Sequence, residues 1–106
     1  MPEKAFVIQV SLDDRIQHRR TIQRGEILEF MVQYEILLDG RWTPAVRYDT
    51  AHGFAHRDLL SPSGETRKQR LFLQDFTQAY TFAANDLREN WARYREQFEM
   101  ERRRQK

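Results

Sequence analysis

The stretch at residues 27–49, I-L-E-F-M-V-Q-Y-E-I-L-L-D-G-R-W-T-P-A-V-R-Y-D, decides the fold. Leu28, Phe30, Val32, Tyr34, Ile36 and Leu38 recur at every second position, the period of a strand with one buried face. Asp39-Gly40 follows at once, and this dipeptide accepts positive φ at both central positions of a two-residue hairpin. Residues 41–49 are then the partner strand, with Pro44 implying an edge position or a bulge because its nitrogen has no proton for a ladder.

Working outward, residues 5–12 (A-F-V-I-Q-V-S-L) read as a strand that ends at the Asp13-Asp14 turn. Residues 15–23, with Ile16 and Ile22 set among charges, read as an exposed second strand closing a hairpin, and Gly25 breaks the chain after it. Beyond Asp49, residues 54–60 and 65–73 flank Ser61-Pro62-Ser63-Gly64, whose Pro and Gly suit a tight turn, so a further hairpin is predicted. From Phe76 the period changes. Phe76, Tyr80, Ala83, Leu87, Trp91, Tyr94 and Phe98 step by three and four residues, which makes one stripe of a long helix. Asp75 is its expected N-cap, and the closing Arg and Lys residues suit the negative end of the helix dipole.

These elements define a single α+β domain over residues 1–106, a twisted antiparallel meander of four to six strands packed by one C-terminal amphipathic helix. The outer part of the stripe, Trp91, Tyr94 and Phe98, extends past what such a sheet covers and is an expected homodimer surface.

Composition narrows the function. With 40% apolar residues the chain can fill one core, and with no cysteine it has no disulfide, zinc-thiolate site or thiol nucleophile. No apolar run reaches membrane-span length and the start, Met-Pro-Glu-Lys, lacks a signal-peptide core, so the expected location is the cytoplasm with no membrane partner. The net charge is only +2, but the cations cluster. Arg15, Arg19, Arg20 and Arg24, with His18, form one group suited to phosphates, and Arg102, Arg103, Arg104 and Lys106 form a solvated tail.

The densest chemistry is V-R-Y-D-T-A-H-G-F-A-H-R-D at residues 46–58. On a strand, Arg47 and Asp49 share a face that Tyr48 does not. His52 follows on a turn that Gly53 permits, and His56, Arg57 and Asp58 re-enter extended chain. Three readings compete. In the first, His52 and His56 are general base and general acid on a phosphodiester, Arg47, Arg57 and Lys68 stabilise phosphoryl charge, and Asp49 orients a neighbour, with no metal or other cofactor. In the second, Asp49, His52, His56 and Asp58 are ligands of a divalent metal, although His-x-x-x-His is a ligand spacing only on a helix. In the third, the charges are ion pairs that tie a loop to the sheet. The clustering ranks a functional site above ion pairing.

The run R-Y-D-x-A-H-G-x-x-H-R-D, unbroken at residues 47–58, resembles a small uncharacterised prokaryotic family that carries it, with N-W-x-x-Y-R-x-x-F matched at Asn90, Trp91, Tyr94, Arg95 and Phe98. More distantly, the strand, Asp-Gly turn and R-Y-D followed by histidine are similar to TumE-like toxins of toxin-antitoxin modules, which have R-Y-D-N-A-P-H-H. That similarity implies a toxin acting on RNA or translation, with an antitoxin protein as partner. Thr50 in place of asparagine, and Gly53 after a lone His52, depart from the toxin pattern. The preferred expectation is a small RNA-directed protein, a toxin-like endoribonuclease. The rival is a non-catalytic module binding nucleic acid or protein through the same patch.

Overall fold

Six strands pair antiparallel in chain order and one helix lies across them, in a computed structural model that describes residues 2–72 and 75–105. The strands are β1 (Glu3–Ser11), β2 (Asp14–Gln23), β3 (Glu26–Leu38), β4 (Arg41–Asp49), β5 (His56–Leu60) and β6 (Thr66–Arg70). A single 3-10 turn, Ala51–Gly53, links β4 to β5, and α1 spans Phe76–Arg104. This is the expected α+β meander at the upper end of its strand count. Leu73, where the sixth strand was expected to end, and Lys106 of the basic tail lie outside the described residues. Among the described residues, no helix is long and apolar enough to cross a membrane.

Alternation on β3 sets the two sheet faces. Phe30, Val32, Tyr34 and Ile36 point at α1 and are buried with Ile16 of β2 and Val46 and Tyr48 of β4. On the helix, Tyr80, Ala83, Leu87 and Phe98 are buried against them, with Phe76, Trp91 and Tyr94 packed alongside. Phe30 meets Phe76 and Tyr80 edge-on at 6.5 and 5.5 Å between centroids, and Tyr34 meets Trp91 at 6.2 Å. Tyr34 pairs with Val46 but Glu35 pairs with Pro44, so Ala45 is the extra residue of a bulge. The bulge places a proline inside the sheet rather than at its edge.

Asp75 caps α1 by accepting from the Gln78 backbone N–H at 2.7 Å. The helix is then fixed by two polar anchors. Asp86 accepts from the hydroxyls of Tyr48 at 2.7 Å and Tyr94 at 2.5 Å, and Asn90 donates to its other oxygen at 2.8 Å. Arg95 reaches the fully buried Asp14, which also accepts from Tyr34 and Ser11. The second motif therefore docks the helix: Asn90, Trp91, Tyr94, Arg95 and Phe98 all work against the sheet or against Asp86. This corrects the homodimer expectation at Trp91, Tyr94 and Phe98. Phe98 is 4% exposed, and the other two are turned inward, because the stripe continues across β3 and β4 to the end of the sheet.

The face away from α1 is not simply wet. Gln33 and Glu35 are buried there, with Glu35 accepting from Arg15 at 2.6 Å, from Gln17 and from Gln33. Arg15 also lies over the Trp42 ring at 4.2 Å.

Candidate functional site

Strand register sorts residues 47–58 onto two faces. Asp49 is opposite His56, Tyr48 opposite Arg57 and Arg47 opposite Asp58. Directly opposed residues share a face, so Arg47, Asp49, His56 and Asp58 gather on the helix-free side, while Tyr48 and Arg57 go under the helix. On β6, Arg70 is opposite His56 and Lys68 opposite Asp58. Across β2 and β3, Arg19 and Met31 continue the row of Asp49.

Arg57 is thus separated from the histidine beside it in sequence. Its guanidinium donates to the Tyr94 hydroxyl at 3.0 Å and to the Gln69 side chain, and it lines a groove of about 860 Å³ between β5, β6 and the end of α1. Burial, and then the Asp86 carboxylate, push the Tyr48 and Tyr94 phenols upward, so both remain protonated donors. The expected phosphate role for Arg57 gives way to helix docking, for the reason that alternation turns it the other way.

His56 is 1% exposed. Its Nε2 lies 2.7 Å from Asp49 Oδ1 and 3.6 Å from Asp58 Oδ2, with Lys68 Nζ at 3.4 Å. Its Nδ1 faces the Phe54 carbonyl at 3.4 Å. Asp49 Oδ1 also accepts from the Ala51 backbone N–H at 3.2 Å. Asp58 is 6% exposed, and its Oδ1 has no hydrogen-bond partner; Lys68 Nζ stands off at 3.8 Å. Arg47, the neighbour across from Asp58, is instead tied to Gln33 Oε1 at 2.6 Å.

His52 is exposed on the 3-10 turn, at φ 73°, followed by Gly53 at φ 84°. The two consecutive left-handed residues fold the chain back on itself, and the His52 ring comes within 6.2 Å of the His56 ring, centroid to centroid. Thr50 pins the start of the turn to Phe30, its hydroxyl accepting from the Phe30 N–H at 3.1 Å. The convergence expected of the two histidines is present, but one imidazole meets solvent and the other is enclosed.

The basic cluster on β2 is divided by the same alternation. Arg19 stays on the helix-free face, beside a shallow hollow of about 230 Å³ whose lining includes Thr21, Glu29, Met31 and Asp49. Arg15 is committed to Glu35 and Trp42. Arg20 lies under the helix over the Tyr80 ring at 5.2 Å, and Arg24 sits in the β2–β3 turn at φ 53°. Arg70 covers the Phe54 ring at 4.8 Å, which helps enclose His56. Sequence reasoning missed Asp86, whose signal was its place four residues before Asn90 and eight before Tyr94 on one helix face.

A family model described as Domain of unknown function (DUF7718) matches residues 1–104, and the chain belongs to that family. No curated protein and no solved structure matches it.

Proposed function

We propose that this member of DUF7718 is an RNA-directed protein, a toxin-like endoribonuclease, whose helix-free sheet face receives the phosphodiester backbone. The observation that supports it is register: Arg19, Arg47, Lys68 and Arg70 stand on the same face as Asp49, His56 and Asp58, and the His52 ring lies 6.2 Å from that of His56. Cations placed on both sides of an acid–imidazole centre hold phosphates across it. His52 is the imidazole that reaches solvent, so it is the group that meets the RNA and accepts the proton of an attacking ribose hydroxyl as that oxygen bonds to phosphorus, while a solvent water protonates the departing oxygen as its bond to phosphorus breaks. Arg47 and Lys68 offset the charge that builds on the phosphoryl oxygens. His56 acts through Asp49 as a positioning residue.

The enclosure of His56 favours a second reading, in which the face binds RNA and breaks no bond, because a lone accessible imidazole has no partner side chain to protonate the leaving oxygen. Incubating the purified chain with labelled single-stranded RNA, with and without divalent metal, separates the two. Endonucleolysis that His52→Ala removes while leaving affinity within a few fold supports catalysis. Binding without cleavage under every condition leaves the binding module, and absence of both ends the RNA reading. An antitoxin partner, implied by the toxin resemblance, would act by covering this same face.

A further inference from the structure

Ion pairing of His56 with Asp49 at 2.7 Å leaves the buried Asp58 carboxylate beside it without a donor to one oxygen. Asp49, His56 and Asp58 each aim one donor atom into a common space, all within 4.8 Å of one another. Ligands of one small dication, each about 2.0–2.2 Å from it, sit about 3–4 Å apart, so His56 Nε2 and Asp49 Oδ1, now 2.7 Å apart, need only open slightly, while Nε2 and Asp58 Oδ2 at 3.6 Å already fit. The ammonium beside Asp58 is loosely placed. Lys68 is 45% exposed on the edge strand, and it stands 3.8 Å from the Asp58 oxygen that has no partner. A buried carboxylate oxygen without a donor is costly, and a cation satisfies it.

The surroundings are also those of a ligand set. For Nε2 of His56 to hold a metal, the other nitrogen must carry the proton, and Nδ1 faces the Phe54 carbonyl at 3.4 Å. The Ala51 N–H at 3.2 Å orients the Asp49 carboxylate. Arg47 is held by Gln33 and does not neutralise Asp58. His52, exposed on its turn, stands outside the set.

We infer that Asp49, His56 and Asp58 form a three-ligand site for a first-row transition dication, manganese, cobalt or zinc, and that Lys68 is the removable cation that competes for it. One imidazole with two carboxylates suits these ions; magnesium and calcium prefer oxygen alone. Three protein ligands leave coordination positions for water or a phosphate oxygen, on the side where His52 and Arg47 stand. The site concerns the residues of the RNA reading but does not depend on it.

The test uses the full chain, stripped with chelator, and the metal alone. Titration calorimetry with Mn²⁺, Co²⁺ and Zn²⁺, together with the visible absorption of the Co²⁺ form, is run on wild type, Asp58→Asn and Lys68→Met. Wild type is expected to bind one equivalent. Asp58→Asn should weaken binding by about 100-fold or more, while Lys68→Met, on an exposed edge and well able to fold, should tighten it by about tenfold. Melting curves without metal verify that both variants are folded. Binding that Asp58→Asn does not weaken, or that Lys68→Met does not strengthen, overturns the assignment, as does no binding at millimolar metal. No RNA is present, so metal binding in a chain that ignores RNA retains this site and removes the preceding reading, and the reverse result does the opposite.

Discussion

Arg95 Nη1 donates to Asp14 Oδ2 at 2.6 Å across 81 positions of sequence, tying the last third of the helix to the start of β2. Asp14 is wholly buried and holds Tyr34 at 2.5 Å as well. Asp14→Ala leaves a guanidinium and a buried hydroxyl without their acceptor, and the expected loss is about 3–5 kcal/mol. Arg95→Met, which removes the more exposed partner, is also expected to destabilise, since it strands the buried carboxylate. Urea denaturation followed by near-ultraviolet circular dichroism checks both.

Arg57 gives a contrast within the motif. Arg57→Gln removes a donor to Tyr94 under the helix, so the free energy of unfolding should fall by about 1–2 kcal/mol while RNA and metal affinities stay within twofold. An unchanged melting curve with lost RNA cleavage would instead return Arg57 to the reacting phosphate.

His18 makes stability depend on pH. Burial, and then the nearby Arg20, bring its pKa down from 6.5 to about 4, and Nδ1 lies 2.8 Å from the Tyr80 hydroxyl. The unfolded chain takes up a proton near pH 6.5 and the native chain resists until about 4, so protons favour unfolding in that window. There is no penalty above pH 6.5, and it grows to about 3 kcal/mol by pH 4. His18→Phe, which keeps the stack on Phe6, should remove this part of the acid sensitivity when urea midpoints at pH 7 and 4.5 are compared.

His52 carries backbone strain at φ 73°. His52→Gly relieves it and should leave the chain about 0.5–1 kcal/mol more stable, while RNA cleavage is lost and affinity stays within a few fold. A gain in stability coupled to a loss of cleavage is the mark of a side chain kept for its chemistry. Equal stability and equal cleavage would make the turn a mere connection.

Arg70→Gln and Arg19→Gln test the face itself. Each should weaken RNA binding without sequence preference and lower the slope of log affinity against log salt by about 0.7, as one phosphate contact does for a single strand.

Much of the fold was legible because periodicity is a local signal. The β3 alternation, the Asp39-Gly40 turn and the stripe from Phe76 to Phe98 each follow from neighbours in sequence. What escaped was the fate of polar residues inside a correct strand. Gln33 and Glu35 occupy the positions of a solvated face, yet Arg15, Gln17 and Arg47 join them in a buried network that draws on β2 and β4. At the site, alternation already separated Tyr48 from Arg47 and Asp49. It could not align β5 with β4, and that register alone decides that His56 and Asp58, and not Arg57, join them. The enclosure of His56 came from Phe54 and Arg70, which no spacing rule links to it.

Because every strand pairs with its neighbour in sequence, the acid–imidazole centre is assembled wholly from residues 47–70, two successive hairpins. Closure of such short loops is fast, whereas the contacts of α1, Asp14 with Arg95 above all, join distant parts of the chain and come at greater entropic cost. Assembly thus has two clocks. The reactive hollow can take shape on the early one, and the helix locks the platform beneath it on the late one.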